Sequence, residues 1–251
     1  MMLLGVSTVS AQDFERGVFN HIGANVSAGT EGISVGVATT LTPYLELSAG
    51  VNFFPSVKVD GDVNINAGQV SIPNLSTGSI DYYNLKSINI TGDFARTTFD
   101  LKLNAYPFGD GVPLFVAAGL SLGGEKIAKL DGHSDEVARL YREHPEYSGL
   151  IQAEIDKYSV EIDRQGNATG DVRVKNLRPY LGLGFGRLVP KSRVGFRFEL
   201  GCQFMGNLKV YQDDTELDVN SALKGDDDLS KIIDKLSVYP VLKFTLTTRI
   251  L

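Results

Sequence analysis

Hydrophobic and polar residues alternate along most of the chain after residue 17. In the stretch 193–207, for example, Phe196 and Phe198 alternate with Arg197 and Glu199. A period of two residues predicts β-strands, because successive side chains of a strand point to opposite faces of the sheet. Eight stretches follow this rule, and we predict an all-β protein with strands at residues 21–28, 33–41, 44–53, 95–104, 114–122, 177–186, 193–207 and 238–250.

Two kinds of β-protein share this pattern. A soluble barrel or sandwich turns its apolar face inward, whereas an outer-membrane barrel turns that face to lipid and keeps its polar face in the lumen. The polar face of these strands is rich in glycine, which suits the narrow interior of an eight-stranded barrel. We therefore predict an eight-stranded antiparallel up-and-down transmembrane β-barrel, with lumen glycines at Gly119, Gly123, Gly182, Gly184, Gly186, Gly195 and Gly201.

The connections between these strands differ in length. They are short after strands two, four and six and long after strands three, five and seven, which is typical of outer-membrane barrels with long extracellular loops. The stretch 56–91 predicts an extra hairpin with its turn at Asp60-Gly61. The stretch 125–171 predicts one or two short helices, the first capped by Ser134, that pack onto the barrel rim.

With these strands in place, the chain resembles the OmpA/OmpX-type family of eight-stranded Gram-negative outer-membrane barrels over about residues 17–251. The resemblance implies insertion by the outer-membrane assembly machinery, which in this family reads an alternating last strand that ends in an aromatic residue. Here the last strand alternates well but ends in Leu251. Outer-membrane lipid and lipopolysaccharide are the expected surroundings, with an unknown extracellular ligand as a further partner.

The first eleven residues are apolar, end in small residues and precede a polar stretch. This is typical of a secretory signal peptide cleaved after Ala11, which would export the protein and leave the barrel domain at residues 12–251. The basic residues that normally open such a segment are missing. A short buried strand or a frayed helix is the alternative.

The composition narrows the function classes. The chain has 251 residues, a net charge of -6 and one cysteine, Cys202. Mild acidity argues against a nucleic-acid partner, and a lone cysteine excludes a disulfide framework or a cysteine-based metal cluster.

Ten charged residues are predicted to face the lumen, where an unpaired charge is costly. Antiparallel pairing of the last two strands would place Glu199 near Lys243, and that of strands three and four would bring Glu46 toward Lys102 and Asn104. The charges form either a structural plug or a switchable ion-pair gate over a narrow water path. They are Glu46, Arg96, Asp100, Lys102, Arg178, Arg193, Arg197, Glu199, Lys243 and Arg249.

The sequence gives little support for catalysis or metal binding. The histidines His21, His133 and His144 belong to no G-x-S-x-G or H-E-x-x-H motif, and we expect no enzyme activity and no cofactor. The acidic stretch 213–234 lacks EF-hand spacing, so we interpret it as a solvated surface that meets cations among lipopolysaccharide phosphates rather than as a calcium site.

We therefore expect a non-enzymatic outer-membrane barrel with a plugged polar lumen. Its loops would serve envelope structure, or surface ligand or adhesion contacts. One alternative is a soluble lipocalin-like carrier, and another is a lipid-modifying outer-membrane enzyme. The carrier would have to place inside the barrel the apolar residues Phe196, Phe198, Leu200, Leu242 and Phe244.

Overall fold

The computed structural model describes residues 14–73, 78–147, 152–155, 158–217 and 237–251, so the predicted signal peptide lies outside the described residues. The elements are β1 Ile22–Gly29, β2 Gly32–Thr42, β3 Leu45–Phe54, β4 Lys58–Pro73, β5 Ile80–Asp93, β6 Arg96–Ala105, β7 Leu114–Gly123, β8 Lys126–His133, α1 Asp135–Glu143, β9 Gln152–Ile155, β10 Tyr158–Glu161, β11 Asn167–Arg173, β12 Leu177–Phe185, β13 Val194–Phe204, β14 Lys209–Gln212, β15 Thr215–Glu216 and β16 Val238–Arg249. One turn of 3-10 helix covers Pro145–Tyr147.

The eight predicted strands form a closed antiparallel barrel. The strand order around the barrel is β1-β16-β13-β12-β7-β6-β3-β2, and β2 pairs with β1 to complete the ring. Closure gives the backbone of every barrel strand two neighbours, so the barrel has no open edge. The predicted fold class is therefore confirmed.

The two ends of the barrel differ. The turns after β2, β6 and β12 are short and lie at one end, here called the turn end. The opposite end, here called the loop end, carries the short β1–β2 connection and all the long connections. Among the described residues, no helix is both long and apolar enough to cross a membrane.

The barrel is apolar outside and polar inside, the reverse of a soluble barrel. Phe196 is 77% exposed and Phe244 60%, whereas Glu46 is fully buried and Arg197 is 3% exposed. A strand such as β7 has ten residues. At about 3.3 Å per residue and a tilt of about 40°, it spans roughly 25 Å, the height of a lipid-facing band. The carrier alternative is wrong, because it requires the apolar face inside.

The loop end carries a second sheet, here called the loop-end sheet. Its strand order is β15-β14-β11-β8-β5-β4. The predicted hairpin in 56–91 is present as β4 and β5, but the predicted turn is wrong: Asp60 pairs with Thr91 and Gly61 with Ile90, inside the strands. The hairpin turns between Pro73 and Ile80 instead, because strand pairing continues past the Asp-Gly pair.

The predicted helix is present as α1, but it does not pack on the barrel rim. Ser134 caps it and accepts a hydrogen bond from the Val137 N–H at 3.5 Å. Where a second helix was predicted, the described residues contain β9, which pairs antiparallel with β10. The buried side of α1 completes a separate core under the loop-end sheet, formed by Ile72, Tyr83, Ile88, Val137, Leu140, Tyr141, Ile162 and Ala168.

Candidate functional site

Glu46 is the centre of a buried charge cluster near the turn end. Its Oε1 lies 3.2 Å from Nη1 of Arg187 and 3.4 Å from Nη1 of Arg16. Its Oε2 accepts a hydrogen bond from the Tyr106 hydroxyl at 2.8 Å and another from the Leu188 N–H at 3.1 Å. One carboxylate therefore contacts two guanidinium groups and has a partner on each oxygen, as a buried charge requires.

The segment before β1, residues 14–20, folds over the turn end and is here called the N-terminal arm. The Arg16 side chain is fully buried; it donates from Nε to Asp110 at 2.7 Å and from Nη1 to the Val189 carbonyl at 2.8 Å. The Phe14 ring stacks on His21 with centroids 4.2 Å apart. The arm thus closes the turn end with a charged side chain that reaches into the lumen.

Arg197 connects this cluster to the middle of the lumen. Its Nη1 donates to the Tyr106 hydroxyl at 3.0 Å, and its Nη2 donates to Asn104 at 2.7 Å and to Glu199 at 2.8 Å. The other oxygen of Glu199 lies 3.4 Å from Nζ of Lys102. Charge-assisted hydrogen bonds of this kind are stronger than neutral ones and fix side-chain positions.

The network continues to the loop end through two lysines. Asp100 lies 3.5 Å from Nζ of Lys102 and 3.6 Å from Nζ of Lys243. Lys243 also contacts Glu31 at 2.6 Å and donates to Asn52 at 3.0 Å. A continuous chain of charged groups therefore runs through the barrel, from Glu46 at the turn end to the β1–β2 turn.

Glycines and aromatic rings fill the rest of the lumen. The Tyr180 hydroxyl, hydrogen-bonded to Glu199, occupies the space that a Cβ on Gly182 or Gly201 would need. A cavity among these lumen side chains has a volume of about 50 Å³. Since one water needs roughly 10–15 Å³ of such space, this cavity holds a few waters at most.

Seven of the ten predicted lumen charges are buried in the barrel: Glu46, Asp100, Lys102, Arg178, Arg197, Glu199 and Lys243. The other three lie at its ends. Arg193 is exposed beside the last short turn, and Arg249 donates to the Lys191 carbonyl there at 2.8 Å. Arg96 crosses the loop end, with its guanidinium 4.6 Å from the Phe54 ring.

The predicted pairing of the last two strands does place Glu199 beside Lys243, but among the described residues their side chains form ion pairs with other residues. Lys243 reaches Asp100 on the opposite wall, because the lumen is narrow enough for long side chains to pair across it. Glu46 does lie opposite Asn104 as expected, whereas Lys102 lies opposite Ser48 rather than near Glu46.

Sequence reasoning missed four charged residues of the network: Arg16, Glu31, Asp110 and Arg187. All four lie in turns or in the N-terminal arm. The alternation of a strand assigns faces only within strands, so it carries no information about these positions.

The histidines are dispersed outside the lumen network. His133 contacts Asn167 at 2.8 Å and Asp135 at 3.2 Å, and these hydrogen bonds raise its pKa above the ordinary value. His144 lies beside Glu146, and His21 stacks on the N-terminal arm. Within the described ranges, no group of three or more His, Cys, Asp or Glu side chains is placed to hold a metal ion.

Most of the acidic stretch 213–234 lies outside the described residues, which end at Leu217 and resume at Ser237. Its first part joins an ion cluster on the loop-end sheet. Asp214 pairs with Arg173, which also binds Asp171. The hydrogen bond from Arg173 holds the pKa of Asp171 below its ordinary value, and a further bond from Lys126 adds to the effect.

The solved structures similar to the chain include two from Acinetobacter baumannii. CarO2 of Acinetobacter baumannii is 21% identical, with 91% of this chain and 98% of that chain covered and a TM-score of 0.49. CarO of the same organism is 20% identical, with 90% and 96% covered and a TM-score of 0.47. No family model and no curated protein matches the chain. The function is therefore inferred from the geometry of the barrel.

Proposed function

We propose that this chain is a non-enzymatic protein of a Gram-negative outer membrane, with a plugged barrel and a contact surface on its loop-end sheet. The observation that supports this proposal is that the closed barrel has an apolar outer surface and a polar interior. An outer surface with Phe196 77% exposed and Leu183 59% exposed is stable in lipid and unfavourable in water. A fully buried Glu46 is stable inside because its partners lie there too.

The plug has two supports. Ion pairs bridge opposite walls of the barrel at several heights, as between Lys243 and Asp100. The N-terminal arm then closes the turn end through Arg16. With a residual cavity of about 50 Å³, this barrel is proposed to stabilise the envelope rather than to conduct solutes.

The loop-end sheet is the proposed contact surface. It has its own hydrophobic core with α1 and lies beyond the lipid-facing band. Its hairpin presents large exposed side chains, with Tyr82 58% and Ile80 53% exposed. Such a structured extension suits contacts with an extracellular ligand or a neighbouring surface, in line with the general role of loops on rigid scaffolds.

The remaining parts of the proposal concern assembly. Export through a signal peptide in residues 1–11, insertion by the outer-membrane assembly machinery, and contact with lipid and lipopolysaccharide all follow from an outer-membrane location. The alternating strand β16, exposed at Leu242, Phe244 and Leu246, is the feature that supports them.

Location and orientation are tested together by cysteine labelling. In a Cys202→Ala background, Tyr82→Cys on the loop-end sheet and Phe108→Cys on a short turn are matched probes, since the native side chains are 58% and 61% exposed. A membrane-impermeant maleimide should label Tyr82→Cys on intact cells and Phe108→Cys only after the outer membrane is permeabilised. Recovery of the protein in a water-soluble fraction without detergent would refute the proposal.

The plug is tested by electrical recording. The purified protein in planar bilayers should give no stable porin-like current, because eight strands enclose a lumen that side chains fill. A large and stable current would contradict the plugged lumen while leaving the membrane location intact.

A further inference from the structure

His144 is a buried imidazole where α1 meets the loop-end sheet. Its side chain is 9% exposed, and its backbone N–H ends the helix by donating to the Leu140 carbonyl at 2.7 Å. Carboxylates lie near both ring nitrogens. Nδ1 is 3.2 Å from Oε1 of Glu146 in the 3-10 turn, and Nε2 is 3.7 Å from Oδ2 of Asp81 on β5. The ring therefore lies between two acidic side chains from different segments.

A neutral imidazole does not suit this position. It has one N–H donor and one lone pair, so in either tautomer one nitrogen presents a lone pair to a carboxylate. Nε2 is buried and has no hydrogen-bond partner. The protonated ring carries a donor on each nitrogen, and its charge lies at the C-terminus of α1, where the helix dipole favours a cation. Burial opposes protonation, whereas the helix end and the two carboxylates favour it.

The other groups that face the ring are two tyrosines and their partners. Tyr83 of β5 and Tyr147 of the 3-10 turn each have a ring centre 6.1 Å from that of His144. The Tyr83 hydroxyl donates to Glu143 of α1 at 2.6 Å, which brings a third carboxylate to this end of the helix. Arg139 adds one positive charge, with its guanidinium 5.0 Å from the centre of the Tyr83 ring. Negative charge therefore predominates among these neighbours, which favours the protonated form of His144.

Strand β5 carries the contacts of α1 and the proposed contact surface on opposite faces. Asp81 and Tyr83 are on the α1 side, whereas the alternate residues Ile80 and Tyr82 are 53% and 58% exposed. Arg139 of α1 also donates to the Tyr82 carbonyl at 3.1 Å. A change in how α1 sits on β5 therefore reaches the residues of the contact surface.

We propose that His144 is a proton-operated latch, which holds α1 on β5 when its imidazole is protonated and loosens the helix when the proton is lost. Histidine changes its charge between about pH 5 and 8, so the latch is closed in mildly acidic surroundings and open in mildly alkaline ones. A proton that stabilises the closed arrangement is released as the pH rises, and that stabilisation is lost with it. Regulation of the contact surface by this latch rests on the proposed function, whereas the latch itself requires only the contacts of α1.

Hydrogen exchange of the refolded full chain in detergent measures the latch. Protection factors remove the pH dependence of chemical exchange itself. Between pH 5.5 and pH 8 they should fall about fivefold for the amides of His144 and Tyr83, which corresponds to about 1 kcal/mol, the contribution of a partly solvated ion pair. Amides of the barrel strand β13 should show no such fall. His144→Gln should give the lower protection at both pH values.

Two further variants separate the latch from other titrating groups. His133→Gln is the matched control, because His133 is an exposed histidine at the other end of α1, 3.2 Å from Asp135, and this variant should keep the pH dependence. The double variant Asp81→Asn/Glu146→Gln should lose it although His144 is present. Protection that is equal at pH 5.5 and pH 8 in the wild type, or an unchanged pH dependence in His144→Gln, overturns the proposal.

The charge of His144 can be followed separately. The chain has three histidines, so ring 15N signals are assigned by replacing His21, His133 and His144 one at a time. The His144 ring should change its charge over the same pH range in which the protection of α1 changes. A ring that keeps one charge state across that range overturns the latch. Recovery of the protein in a water-soluble fraction would refute the proposed membrane location without altering these results, so the two failures are distinguishable.

Discussion

Replacing Glu46 by glutamine should destabilise the barrel by about 3–5 kcal/mol, the range found when one partner of a buried ion pair is removed. The substitution preserves the shape of the side chain and an acceptor for Tyr106, so the main change is the loss of one negative charge. That charge faces two guanidinium groups, of Arg187 at 3.2 Å and Arg16 at 3.4 Å. Both guanidinium groups would remain buried, and neither would have a carboxylate at position 46 to contact.

The magnitude follows from the two distances. At an effective dielectric constant of about 20, each pair at these separations contributes roughly 5 kcal/mol of Coulomb energy. Desolvation of the three charged groups offsets much of this gain, which brings the expected loss to a few kcal/mol. Asp110→Asn is the matched control: its side chain is 31% exposed, and a partly solvated pair contributes about 1 kcal/mol or less.

The assay is urea unfolding of the refolded barrel in lipid vesicles, followed by circular dichroism. A double-mutant cycle of Glu46→Gln with Arg187→Met separates the pair energy from the effect of either change alone. The double variant should recover much of the loss, since it no longer buries that unpaired guanidinium. A Glu46→Gln variant within 1 kcal/mol of the wild type, or strict additivity in the cycle, would refute the assigned contacts.

Three further outcomes are expected. Leu242→Arg on the lipid face should cost about 2–4 kcal/mol near mid-bilayer and impair insertion in a vesicle-folding assay, whereas Tyr82→Arg on the loop-end sheet should insert normally. Gly201→Ala should cost about 1–3 kcal/mol in urea unfolding, because its Cβ would overlap a tyrosine hydroxyl in the lumen. The pKa of Asp171 is held low by Arg173, so its stabilisation is present above the unfolded pKa and lost as pH falls through the folded pKa. Hydrogen exchange of the loop-end sheet should therefore accelerate below about pH 4, and Asp171→Asn should remove that dependence.

The alternation of the sequence was sufficient to predict the eight strands. A strand places successive side chains on opposite faces, so eight alternating stretches define eight strands and the two faces of each. Glycines such as Gly182 and Gly201 on the polar face indicated a filled interior, and in the structure they make room for Tyr180. The capping serine before α1 likewise predicted where that helix begins.

The partners of the lumen charges could not be predicted in this way. Alternation tells which face a residue takes, but the height of each residue and its partner across the lumen depend on how the closed barrel staggers its strands. Glu199 and Lys243 illustrate the difference: they are neighbours along the wall, yet Glu199 pairs with Lys102 and Lys243 with Asp100, both on a strand farther round the ring. In a narrow lumen, a long cationic side chain can reach several carboxylates. The sequence does not show which of them it will contact.

The contacts at the two ends of the barrel also depend on the tertiary structure alone. Arg16 and Arg187 lie outside the alternating stretches, and only the closed barrel brings both to Glu46. At the other end, α1 packs under the loop-end sheet because that sheet provides an apolar face, a surface that forms only after β4, β5, β8 and β11 have paired. Local pattern determined which residues face inward, and the closure of the barrel determined which of them meet.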